Sequence, residues 1–160
     1  MEKFRSYDRF IQLAKSEKKY TYEEAKETFL ASLDKYYTDD YKAKAKEVIA
    51  PGNVDVYPAP GKRSGAYSSG GGDVPPYILL NYKNELNDVF TLAHEAGHSV
   101  HTAYSIEAQP ILKQNYTIFV AEIASTFNEH NLLDYFMDSG ELSKQDKRNQ
   151  YRKGGTYSNQ

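Results

Sequence analysis

The chain of 160 residues contains no cysteine. Disulfides are therefore excluded, and so is any zinc site built on thiolates, which leaves histidine and carboxylate as the strong zinc ligands available. A surplus of either charge is also missing: 20 lysines and arginines stand against 22 aspartates and glutamates, a formal net charge of -2. Nucleic acid or an anionic membrane would call for a basic surplus, so neither is expected as a partner. No apolar run approaches the roughly 18 residues of a membrane span, and Met1-Glu2-Lys3 opens into a charged amphipathic stretch rather than a signal peptide. A cytoplasmic location is the expectation that follows. Large aliphatic residues are scarce, since leucine, isoleucine, valine and phenylalanine together number 32, near the level at which globular chains become hard to tell from disordered ones. Fifteen tyrosines partly compensate, each burying a ring while keeping a polar tip, which suits a surface facing a partner or a channel.

What is present concentrates in residues 91–101, T-L-A-H-E-A-G-H-S-V-H. His94 and His98 stand four apart, so on an α-helix they lie one turn above each other and can close on one metal ion. Glu95 lies between them and turns toward the same cleft, where it suits the role of a general base rather than a ligand. The pattern is the H-E-x-x-H of metalloproteases. The competing interpretation, two exposed histidines on a solvated face, fits poorly. Val89, Phe90, Leu92, Ala93, Ala96, Gly97 and Val100 surround the pair with apolar or small residues, and ionisable groups in such a helix need a partner.

A catalytic zinc takes a third protein ligand and keeps a fourth position open. His101, His130 or a carboxylate could supply it. Residues 115–137 read as a long, largely buried helix, with Asn115 or Thr117 at its start and apolar residues at 118, 119, 120, 123, 127, 132, 133, 136 and 137. Glu122 sits within that apolar stretch and is the best candidate, with a carboxylate tip that escapes to solvent as the alternative. His101 lies about on the zinc face and is expected beside the site rather than in a closed coordination sphere. His130 is expected at the surface.

The rest of the chain reads as scaffolding. Residues 6–19 form a short surface helix, Thr21-Tyr22-Glu23-Glu24 is a capping box opening a second, and residues 39–50 form a lysine-rich third ended by Pro51-Gly52. Residues 54–57, 65–68 and 77–82 read as short strands. Asp138-Ser139-Gly140 ends the long helix, and Ser143 can cap a final short one running to about Arg152, followed by a frayed tail. The expected fold class is α+β, mainly α, with a small antiparallel sheet packed on the zinc-binding helix and a second long helix bearing the glutamate ligand. One domain over 1–160 is expected, with a helical part at 1–50, strands and loops at 51–84, site helices at 85–137, and a short helix and tail at 138–160.

Five stretches, G-K-R-S-G-A-Y-S-S-G (61–70), P-P-Y-I-L-L-N-Y (75–82), H-E-A-G-H-S-V-H (94–101), Q-P-I-L (109–112) and Y-T-I-F-V-A-E-I-A-S-T-F-N-E (116–129), closely resemble oligoendopeptidase F. That family stands with thimet oligopeptidase among the gluzincin zinc peptidases, whose third ligand is a glutamate on a following helix. The resemblance implies one Zn2+ per chain held by His94, His98 and Glu122, Glu95 as general base, and Glu129 supporting a zinc-binding histidine. It also implies short peptide substrates, paired by strand addition near Gly65, Ala66 and Tyr67. Family members are several times longer, and the groups that stabilise their tetrahedral intermediate have no equivalent to name here. Weak hydrolysis of short peptides is therefore expected, as is self-association through surface that family members cover. The alternative is a zinc-stabilised structural or binding domain without useful catalysis.

Overall fold

The computed structural model describes residues 18–142 and Asp146. Among the described residues, four α-helices carry the architecture: α1 (Tyr22–Ser32), α2 (Asp39–Val48), α3 (Leu86–Ala108) and α4 (Ile118–Ser139). Three short strands, β1 (Val54–Asp55), β2 (Tyr67–Gly71) and β3 (Val74–Leu79), lie between α2 and α3. The expected helix at 6–19, apart from its last two residues, and the one capped by Ser143, apart from Asp146, which is helical, lie outside the described residues. Lys18 and Lys19 are not helical.

Local chemistry accounts for the helix ends. The Thr21 hydroxyl accepts from the Glu24 N–H while the Glu24 carboxylate accepts from the Thr21 N–H at 2.7 Å, completing the expected capping box of α1. At the start of α3, Asp88 accepts from the N–H groups of Lys83 and Glu85. Gly140 closes α4 in the left-handed conformation with φ 71°, which glycine adopts without a Cβ clash.

The sheet runs in the order β1-β3-β2 and is mixed rather than wholly antiparallel. β2 and β3 form the expected antiparallel hairpin. β1 instead runs parallel to β3, because the chain between β1 and β2 crosses over to the far side of β3. Donation from Ile78, Leu80 and Tyr82 N–H to the carbonyls of Asn53, Asp55 and Val56 extends this parallel pairing. Gly70 and Gly71, read from sequence as part of a loop, belong to β2, and the turn falls at residues 72–73.

Helix α3 is the axis of the molecule and packs against α1, α2, α4, β2 and β3. Its Val89, Leu92, Ala93, Ala96 and Val100 are fully buried and join Phe29, Leu33, Ile78 and Phe136 in one core. Helix α4 differs from its sequence expectation. Its inward face is built from Ala121, Ser125, Asn128, Asn131, Leu132 and Phe136, whereas Ile118 and Phe119 are each 76% exposed and Val120, Ile123 and Phe127 also face outward. The cause is the closeness of the two helices. A Cβ on Gly97 would come within 2.8 Å of Ser125 Cα and 2.9 Å of the Ala124 carbonyl oxygen, so only small or slender side chains fit between α3 and the first half of α4.

Candidate metal centre

The i, i+4 spacing on α3 turns His94 and His98 to the same side, with their Nε2 atoms 3.1 Å apart. Glu122 arrives from α4 and lies 3.5 Å from His94 Nε2 through one carboxylate oxygen and 3.8 Å from His98 Nε2 through the other. One ligand atom from each of the three residues lies within 4.8 Å of the other two, an arrangement that can hold a metal ion. The Glu122 side chain is 44% exposed, so it is not sealed in a core as the apolar run suggested. It borders an open approach while facing both imidazoles. Two histidines and one carboxylate with an accessible side form a donor set suited to zinc.

Glu129, two turns beyond Glu122, takes the other side of His94, with Oε1 2.5 Å from Nδ1. This contact orients the ring and leaves Nε2 facing His98 and Glu122. Glu95 is buried at 7% exposure. The backbone N–H of Ser68 on β2 donates to its carboxylate, and the Ser68 hydroxyl pairs with Ser99 at 2.8 Å.

The electrostatics follow from this crowding in the metal-free chain. Burial pushes the Glu95 carboxyl above the usual carboxylate range, as do Glu122 and Glu129, while His94 and the Ser68 N–H pull the other way. Burial pulls the His94 imidazolium down, but Glu129, Glu95 and Glu122 outweigh it and leave His94 above its ordinary value. Burial and the neighbouring His94 charge push His98 below its ordinary value.

The remaining expected site residues fall outside this cluster. His101 stacks on Tyr116 with ring centroids 4.0 Å apart, its Nδ1 buried without a hydrogen-bond partner and its pKa lowered by burial. His130 is exposed, with Nδ1 2.8 Å from the Thr126 carbonyl oxygen. Gly65 and Ala66 precede β2, and Tyr67 opens it. Ser68, one residue later, is the one that reaches Glu95. No periodicity marks it, because a backbone donor leaves no trace in residue type. Asn128 also escaped the sequence reading, although its spacing from Ala121, Ser125 and Leu132 puts it on the buried face of α4.

The fold and cluster define a class: a helical H-E-x-x-H module whose histidine pair and carboxylate, able to hold a metal ion, come from two packed helices. Residues 2–155 match the model of Peptidase family M3, and the chain belongs to that family. It is 47% identical over 140 residues to the oligopeptidase PepF of Bacillus subtilis, covering 87% of this chain and 21% of that one. It is 45% identical over 133 residues to an oligoendopeptidase F homolog of Borreliella burgdorferi, covering 82% of this chain and 22% of the relative. The crystal structure of a protein from Chlamydophila abortus described as a peptidase superposes with a TM-score of 0.76 at 41% identity, covering 93% of this chain and 24% of the other. The chain thus spans about a fifth of the length of the curated relatives it matches. Among the described residues, no helix is long and apolar enough to cross a membrane.

Proposed function

We propose that this chain carries the zinc centre of an M3 oligopeptidase and hydrolyses short peptides weakly. His94, His98 and Glu122 would hold one zinc ion. The observation that carries the reading is Glu95, a buried carboxylate on the same turn as the two histidines and beside the three-residue cluster. A structural metal site has no use for such a group.

Bound zinc supplies Lewis-acid polarisation of the scissile carbonyl and lowers the pKa of a water molecule. Glu95 receives a proton from the attacking water and delivers it to the leaving amine, a task suited to a carboxyl raised by burial. The Ser68 N–H holds that carboxylate in place while Glu129 holds His94. β2 is an edge strand beside α3, so Gly65, Ala66 and Tyr67 lead into an edge that can pair with an extended peptide. No described residue is assigned to stabilise the oxyanion. Loss of one such donor typically costs about a hundredfold to a thousandfold in rate, hence the weak activity. The exposed apolar face of α4 is proposed to drive self-association, read as a concentration-dependent elution volume on a sizing column.

The test is cleavage of a quenched fluorescent peptide mixture by the zinc-loaded chain and by Glu95→Gln. Cleavage by the parent alone supports the assignment. Equal cleavage by both removes Glu95 from the mechanism, and one bound zinc without cleavage by either assigns the site a structural role.

A further inference from the structure

Asn128 is fully buried in the contact between α3 and α4. Its side-chain amide uses three hydrogen-bonding positions at once. Nδ2 donates to the Ala93 carbonyl oxygen of α3 at 3.1 Å, while Oδ1 accepts from the Tyr37 hydroxyl at 2.5 Å and the Tyr41 hydroxyl at 3.0 Å. The two tyrosine rings stack with centroids 4.0 Å apart, giving the acceptor side a rigid support from α2 and the segment before it. Gly97 provides the room, since a Cβ there would lie 3.0 Å from Asn128 Nδ2.

Two successive pairs therefore join the helices: Ala93 with Asn128, and His94 with Glu129. They differ in stiffness. The Glu129 side chain has three rotatable bonds and can follow a small slide of α4. Asn128 has two and is tied at both ends. A slide of one residue along a helix axis is about 1.5 Å, against a tolerance of about 0.2 Å in metal–ligand distances. Glu122 rides on the same helix, so its distance from His94 and His98 depends on which register α4 holds.

We infer that Asn128, braced by Tyr37 and Tyr41, is a positioning residue that sets the register of α4 on α3 and so presents Glu122 to the histidine pair. The inference rests on reading His94, His98 and Glu122 as a metal site, and it adds a buried amide, remote from the metal, on which metal affinity depends.

The experiment measures zinc affinity by chelator competition, and the visible spectrum of the cobalt-substituted chain, for the parent, Asn128→Leu and the double variant Tyr37→Phe/Tyr41→Phe. Far-UV circular dichroism reports folding in parallel. Leucine keeps the branched shape and number of heavy atoms and removes all three hydrogen bonds; the double variant keeps the stacked rings and removes the brace alone. Asn128→Leu is expected to bind zinc about 10- to 100-fold more weakly with an altered cobalt spectrum, the size seen when groups that orient metal ligands are lost. The double variant is expected at the low end of that range. A merely structural amide would lower the melting temperature and leave affinity and spectrum of the folded chain at parent values, and that result overturns the inference. If Asn128→Leu does not fold, the double variant decides by the same two readouts. A parent that binds no zinc overturns the metal-site reading itself, whereas a zinc-binding parent matched by both variants overturns the register role alone.

Discussion

Helices α3 and α4 are nearly equal in length, 23 and 22 residues, and both look apolar in sequence, yet the first half of α4 buries small and polar side chains where α3 buries mostly apolar ones. α3 is covered on several sides, so Leu86, Val89, Leu92, Ala93, Ala96 and Val100 are core and Glu95, Ser99 and Thr102 are its buried polar exceptions. The first half of α4 approaches α3 so closely at Gly97 that small and polar residues must face inward, and Ile118, Phe119, Ile123 and Phe127 are left outside, while Leu132 and Phe136 further along reach the core. The lesson is that apolar composition sets whether a helix has something to bury, while the distance to its neighbour sets which face can be buried.

The sharpest way to break this comparison is to fill the contact. Gly97→Ala improves helix propensity by about 1 kcal/mol, but the added Cβ meets backbone atoms that cannot rotate away. Overpacking of this kind costs about 1–3 kcal/mol, and we expect a net loss of about 1 kcal/mol in urea denaturation together with weakened zinc binding. A variant as stable as the parent would mean the helices separate freely.

Proton competition sharpens the contrast between the two histidines. The carboxylates facing His94 outweigh its burial and hold its proton to a pH above the ordinary histidine range, while His98 has already lost its own. A zinc ion held at this site would have to displace that proton. Affinity should fall about tenfold for each pH unit below the His94 pKa, with one proton released per zinc, as read by calorimetry in buffers of different ionisation enthalpy. The sign for the metal-free chain follows. A histidine whose folded pKa is raised stabilises the fold fully at low pH, and that contribution is lost as pH rises through the folded value. Zinc uptake without proton release below the His94 pKa would contradict this account.

The smallest effects are expected on the outward face. Phe119→Gln should change stability by about 0.5 kcal/mol or less in the same denaturation assay, because the ring is mostly exposed already. Its visible consequence should be a shift of the sizing-column profile toward monomer. A loss of several kcal/mol would place Phe119 in a core.

Sequence by itself determined the elements whose chemistry is local. The four-residue spacing of His94 and His98, the reciprocal bonds of Thr21 and Glu24, and the stop at Gly140 all operate within one or two helical turns, so residue order alone specifies them. The alignment of Glu129 with Glu122 along α4 was likewise legible from a seven-residue spacing. Tertiary structure alone decided the parallel pairing of β1, the partial exposure of Glu122, the donation from Ser68 to Glu95 and the bridge made by Asn128. Each depends on how closely two segments distant in sequence approach. Periodicity encodes the faces of a helix, but only the packed neighbour selects which face turns inward.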